Sequence, residues 1–128
     1  MSEIRRTFLR PLTLTDDAAA PAHASRSKRD VVITGQFKKD MKREQKGRHR
    51  ATVRADLLAA VNLLADDHPL PPHMVDHPLG GTWKNHRDCH IRPDLVMIYR
   101  KSGGPSDPTG ERPRLHLVRI GSHSELGL

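Results

Sequence analysis

Residues 76–94 read DHPLGGTWKNHRDCHIRPD, a run holding three histidines, three aspartates, the single cysteine and the single tryptophan of a 128-residue chain. Side chains of these types could ligate a metal, supply a nucleophile or move protons. A metal is not expected, because neither a CxxC pair nor HExxH spacing occurs. Read as a strand, the run puts His86, Asp88 and His90 on one face and Cys89 with Arg87 and Ile91 on the other. The softest ligand is then separated from the imidazoles, and no cofactor is expected either. Cys89, beside Ile91, reads as a small packed hydrophobe, since a reactive thiol needs an electropositive and partly exposed setting. Proton transfer remains. Imidazole titrates near neutrality, and a neighbouring carboxylate holds its tautomer and raises its pKa. His77 precedes the run's second half, and Arg119 and His123 near the C-terminus can complete a set. Together they suit cleavage of an RNA phosphodiester without metal. One group removes the ribose 2′-hydroxyl proton, another protonates the leaving 5′ oxygen, and a guanidinium stabilises the charge added on phosphorus. Nine histidines make chance clusters certain, and His23, His49, His68, His73 and His116 read as surface or loop residues.

Charge points the same way. The formal net charge is +7. Between Arg29 and Arg54 there are nine Lys/Arg against three Asp/Glu, and from His77 to Lys101 five against two, around an acidic segment, 55–76. A basic surface of this kind attracts a polyanion, because Lys and Arg displace counterions from phosphates. The same charge could simply keep a surface solvated. Only Phe8, Phe37, Trp83 and Tyr99 are aromatic, too few for a sheet that stacks several bases, so phosphate contacts are expected to dominate RNA binding. One cysteine excludes an internal disulfide and fits a reducing cytoplasm. No apolar run reaches membrane-spanning length and no signal-peptide core is visible, so a cytoplasmic protein is expected.

These residues need elements to position them. Residues 1–28 are rich in Ala, Ser and Pro without period and read as a disordered tail. DVVIT, from Asp30, is a β-branched strand, and Thr34 can cap the helix that follows. Phe37 and Met41 share one face of that helix. Lys38, Lys39, Lys42, Arg43 and Lys46 fill the others, and with Lys84 and Arg87 they are the expected RNA or ribosome contacts. Val53, Leu57, Val61 and Leu64 mark a second helix over 50–67, ended by the proline-rich stretch after it. TWKNHRDCHI, LVMIYRK and RLHLVRIG then read as three strands, the middle one central in the sheet, with a long polar loop at 102–113. The expected fold is α+β: two N-terminal helices packed on a four-stranded, mainly antiparallel sheet in the order β-α-α-β-β-β.

The pattern DHPL-x-G-x-W-x3-RD-x-H-x2-PD, followed by R-x-G-[ST]-H at 119–123, resembles the YafQ branch of the RelE-like bacterial toxins. The resemblance runs from about Arg29 to Leu126 and implies the same fold over 29–128. It implies an endoribonuclease that degrades mRNA, usually on the translating ribosome, and a cognate antitoxin that silences it. It assigns His77, Asp88, His90, Asp94, Arg119 and His123 to the catalytic cluster. His123 is the favoured proton donor or acceptor, His90 and Asp94 position and polarise, and Arg119 holds the scissile phosphate. Which imidazole is base and which is acid stays open, as does the role of His86; Trp83 and Cys89 read as packing. The chain departs from the family at Gly127, where an aromatic is common, in the longer loop at 102–113, and in its N-terminal tail. Two other functions stay in view: a non-catalytic module that holds RNA or an antitoxin, and a ParE-like topoisomerase inhibitor. The second needs no acid–base set.

Overall fold

The computed structural model describes residues 27–105 and 107–128. The tail expected over 1–28 lies outside them but for its last two residues. Of these, Lys28 donates its backbone N–H to Asp66 at 3.3 Å.

The β-branched run forms strand β1, Asp30–Ile33. Thr34 then ends the strand and caps helix α1, Gly35–Glu44, its Oγ1 accepting the Phe37 N–H at 3.0 Å. That satisfies one of the donors a helix start leaves open. Helix α2, Val53–Ala65, buries Val53, Leu57, Val61 and Leu64, as their spacing predicts, together with Ala60 and Ala65. The strands β3, Arg87–Arg92, β4, Leu95–Ser102, and β5, Arg114–Gly121, form an antiparallel meander with β4 in the centre. β1 adds to β5 in parallel.

Two features differ from the expectation. The sheet has a fifth strand, β2, His77–Pro78, which pairs at the edge with the start of β3. The strand expected over 82–91 is also shorter. Gly81–Trp83 forms a single 3₁₀ turn, and Asn85 sits at φ 71°, a left-handed value that asparagine tolerates better than most residues. β3 therefore opens at Arg87, and His86 lies just before it.

The sheet's two faces are dressed differently. α1 and α2 cover one, closing a core of Phe37, Leu57, Leu64, Cys89, Met97, Tyr99 and Ile120 among others. The other carries only a small apolar patch, Val96, Ile98 and Leu126, with Leu79, Trp83 and Val118 against it. Here the covering element is one short helix, α3, His123–Leu126. Polar side chains on this face are therefore covered unevenly: Asp88 is buried, while His77 and His123 are exposed.

β1 pairs with β5 only as far as Leu117, and the rest of that β5 edge is finished by α1. Asp40 accepts the Ile120 N–H at 3.1 Å, and Arg43 donates to the Ile120 carbonyl at 2.8 Å. Asp40, wholly buried, also takes Arg119 Nε at 2.7 Å and Nη2 at 3.2 Å. Burial pushes its carboxyl pKa up, but the bonds from Arg119, Ile120 and Gln36 outweigh burial and hold it below the usual range. Because the folded pKa is depressed, this group's stabilisation is present above the unfolded value and is lost as pH falls through the folded one. Removing one partner of a buried pair costs about 3–5 kcal/mol. Asp40→Ala is therefore expected to lower unfolding free energy by about that much, read by urea denaturation, with Lys39→Glu nearly neutral as the control.

Candidate active site

Strand register brings the candidate residues into rows. His77, Asp88 and Ile98 stand opposite one another across β2, β3 and β4. His90, Val96 and Gly121 form the next row across β3, β4 and β5. Directly opposed residues project to the same side, here the open face. After Gly121 the chain turns at Ser122, whose side chain and backbone exchange hydrogen bonds with Glu125 in a capping box. Leu126 then packs on Val96 and Ile98. This docking folds α3 back over the sheet and lays the His123 ring against His90, centroids 5.2 Å apart and 77° between planes. At Gly121 a Cβ would stand 2.7 Å from Arg43 Nη2 and 3.1 Å from Glu125 Oε1, so the missing side chain leaves room for both.

Asp88 is the centre of the cluster. It is buried, and His77 Nδ1 lies 3.0 Å from its Oδ1. The same nitrogen is 2.8 Å from the Val75 carbonyl. One ring nitrogen holds one hydrogen, and its alignment favours Val75, so Asp88 Oδ1 has no aligned hydrogen-bond partner among the described residues. Burial pushes the Asp88 pKa up, against the pull of His77, His90 and His123. His77 and His123 are exposed and His90 is half-buried. A buried acid with a raised pKa thus faces three imidazoles, two exposed and one half-buried, a set of side chains of the kind that exchange protons. No group of three or more His, Cys, Asp or Glu among the described residues is arranged to hold a metal ion.

The other two catalytic candidates sit differently. Arg119 opposes Ile98 and so continues the Asp88 row, but its guanidinium wraps the β5 edge to Asp40. Asp94 lies in the β3–β4 turn and is held by the connection between α1 and α2. His49 Nε2 is 2.8 Å and Arg48 Nη1 3.1 Å from its carboxylate. The His49 bond is the main reason its pKa is lowered. The structure therefore gathers His77, Asp88, His90 and His123, sets Arg119 at the row's far end, and ties Asp94 elsewhere. Among the expected RNA contacts, Lys38, Lys39, Lys42, Lys46 and Lys84 are exposed. Arg43 and Arg87 are engaged in the fold. Arg43 braces Ile120, Asp40, Glu44 and Glu125. Arg87 binds Asp76, which also accepts the Tyr99 hydroxyl at 2.6 Å. Sequence reasoning missed Asp40, Asp76 and His49. Asp40 left a signal: with Phe37 and Met41 it falls on the apolar face of α1, where a carboxylate requires a cation.

A family model described as the bacterial toxin of type II toxin–antitoxin system, YafQ, matches residues 29–127. The chain belongs to the YafQ toxin family. The mRNA interferase toxin YafQ of Escherichia coli K12 is 41% identical over 98 residues, 77% of this chain and 95% of that protein. The crystal structure of YafQ from E. coli BL21(DE3) superposes with a TM-score of 0.61 at 34% identity, covering 77% of this chain and 97% of that one. The toxin chain in the E. coli DinJ–YafQ toxin–antitoxin complex gives 0.60 at 35% identity, with the same coverage.

Within this YafQ-family chain, Cys89 is fully buried and burial pushes its thiol up to about 12, so it stays protonated and inert. Trp83 is half-buried and meets His86 edge-on at 5.3 Å. Gly127, where the family resemblance implies an aromatic, ends α3 at φ 74°, a left-handed stop that suits glycine. It lines an open cleft of about 340 Å³ with Leu79, Trp83, Leu126 and Leu128.

The raised Asp88 pKa has a measurable consequence. The folded state binds this proton more tightly than the unfolded chain, so the group's contribution to stability falls as pH rises from the unfolded pKa to the folded one. Asp88→Asn abolishes that loss. The Tm difference, variant minus wild type, is expected to grow more positive from pH 4 to pH 7; a flat difference would show that Asp88 is not raised.

Proposed function

We propose that this chain is the toxin of a type II toxin–antitoxin pair and cuts mRNA on the translating ribosome by metal-independent acid–base catalysis. The observation that carries the reading is the buried Asp88 surrounded by His77, His90 and His123. In this reading one exposed imidazole takes the ribose 2′-hydroxyl proton. The oxygen attacks phosphorus, and a second group protonates the departing 5′ oxygen. Asp88 steadies the positive charge that passes between the rings. Arg119, oriented by Asp40 through Nε and Nη2, turns its remaining nitrogen to the phosphate. Asp94 acts at a distance by fixing His49 and Arg48.

The exposed lysines of α1, with Lys46 and Lys84, hold ribosomal RNA in this scheme. A cognate antitoxin covers the toxin, by analogy with the E. coli DinJ–YafQ complex. The cytoplasm, where ribosomes work, is the proposed location; no helix among the described residues is long and apolar enough to cross a membrane. A second reading, an RNA- or antitoxin-holding module that no longer cuts, draws on Gly127 alone. A ParE-like action on topoisomerase leaves the histidines without a task.

Wild type and His123→Ala, induced in cells lacking the antitoxin, separate these readings. New mRNA 5′ ends are expected with wild type, and a loss of roughly 10²–10⁴-fold with the variant, the usual contribution of a general acid or base. Equal growth arrest by both, without new ends, would sink the nuclease reading. Lys38→Glu with Lys39→Glu and Lys42→Glu is expected to reduce co-sedimentation with ribosomes, most strongly at low salt. Co-sedimentation that does not change would remove α1 from the ribosome contact.

A further inference from the structure

The open face carries a second polar row that neither the catalytic scheme nor the α1 lysines use. Arg100 on β4 stands opposite His116 on β5, and Ser102 opposite Arg114. His116 Nε2 lies 2.8 Å from Ser102 Oγ, which fixes the ring within the row. His86 extends the row beyond β3, one residue before Arg87, itself opposite Tyr99. The four basic groups are close enough to act on one another: besides burial, Arg100, Arg114 and His86 all disfavour a charged His116. Neither arginine forms an ion pair among the described residues, although Asp30 on β1 stands directly opposite Arg114. Asp67, Asp76 and Asp30 are occupied by Lys101 and Arg29, by Arg87, and by Arg112. Natural surfaces seldom cluster cations this way without a counter-charge, because like charges at cross-strand distance repel.

The position of the cluster indicates what supplies that counter-charge. Arg100 lies two residues along β4 from Ile98, and His86 two residues before Asp88, just ahead of β3, so the basic row runs about 7 Å from the Asp88 row on the same face. Among the described residues no long helix intervenes. Guanidinium groups bind phosphate oxygens through paired N–H donors, and they do so with little hydration cost. We propose that Arg100, Arg114, His116 and His86 form a phosphate track for the RNA strand adjoining the scissile bond. The inference rests on the nuclease reading for its substrate. It adds a site, separate from the proton-transfer cluster, that sets how the strand lies across it.

The test uses the full chain carrying His123→Ala, so that RNA survives, and a fluorescently labelled 12-nucleotide single-stranded RNA. Binding is measured by anisotropy from low to high salt, with and without Arg100→Gln plus Arg114→Gln. Loss of two phosphate contacts on a single strand reduces the slope of log K against log salt by about 1.4. The expected result is that shift with a 10- to 100-fold weaker Kd at low salt, while Arg100→Lys plus Arg114→Lys restores most of the slope. An unchanged slope and Kd would overturn the track, as would a parent that binds no RNA at low salt. Weakened binding of the antitoxin alone, with RNA binding intact, would also overturn it and assign the row to a protein partner. The two readings fail separately. A reduced slope with no mRNA cuts by wild type leaves the track and removes the nuclease; cuts with an unchanged slope do the reverse.

Discussion

The placement of the site depends on one buried carboxylate. Asp40 sits on α1, wholly out of solvent, and ties the unpaired edge of β5 to that helix through the Ile120 N–H while clamping Arg119. A charge in that position is tolerable only because donors from Gln36, Arg43, Arg119 and Ile120 converge on it, since desolvation alone would expel or neutralise it. The consequences run along the chain. Fixing Ile120 fixes Gly121, whose missing side chain leaves room for Arg43 and Glu125. From there the Ser122 cap launches α3, and Leu126 pins it to Val96 and Ile98. His123 reaches His90 only because each of these contacts holds.

Asp88 shows the opposite bargain. It too is buried, but no aligned donor satisfies its Oδ1, and its pKa rises where that of Asp40 falls. An unsatisfied buried polar atom costs about 1–3 kcal/mol. In an ordinary structural position such a cost has no return. Beside three imidazoles it leaves a carboxyl whose pKa burial raises, the kind of perturbed group that clusters at functional sites. The two aspartates are on the same small scaffold and differ only in the donors around them. One therefore ties down the frame, and the other keeps an unsatisfied oxygen beside the histidines.

Much of this was legible in the chain because it follows from local chemistry. The 3.6-residue spacing of Val53, Leu57, Val61 and Leu64 places α2, Thr34 caps α1, and strand parity sends Cys89 into the core away from Asp88 and His90. What stayed hidden depends on tertiary partners. Nothing in the run of basic residues shows that Arg43 would turn inward to Ile120 while its neighbours stay in solvent. His49 looks like any loop histidine until the β3–β4 turn brings Asp94 to it. β2 is only two residues long, and its pairing comes from the β3 edge it meets rather than from any propensity of His77 and Pro78. The histidine pattern thus pointed to residues that the fold brings together, whereas the contacts of Asp94 and Arg119 are made with partners distant in sequence.

The open sheet face explains why reactive and basic groups can share so small a domain. With α1 and α2 both committed to the opposite face, the only apolar demand here is met by Leu126, Leu79, Trp83 and Val118 around Val96 and Ile98. Every second residue of β3, β4 and β5 beyond that patch is therefore freed from packing. Period-two alternation then sorts the freed residues into rows without further design: Asp88 and His90 fall beside the α3 histidine, Arg100 and His116 fall one step along the strands, and Arg114 a step further, opposite Ser102. A register slip of one residue would exchange the rows with the core. The bulge between Ile98 and Tyr99, where Val118 is skipped, keeps Arg119 in line with Asp88 and at the same time leaves His116 opposite Arg100. That single irregularity sets the spacing between the Asp88 row and the Arg100 row, so the two are aligned through backbone register rather than through side-chain contact.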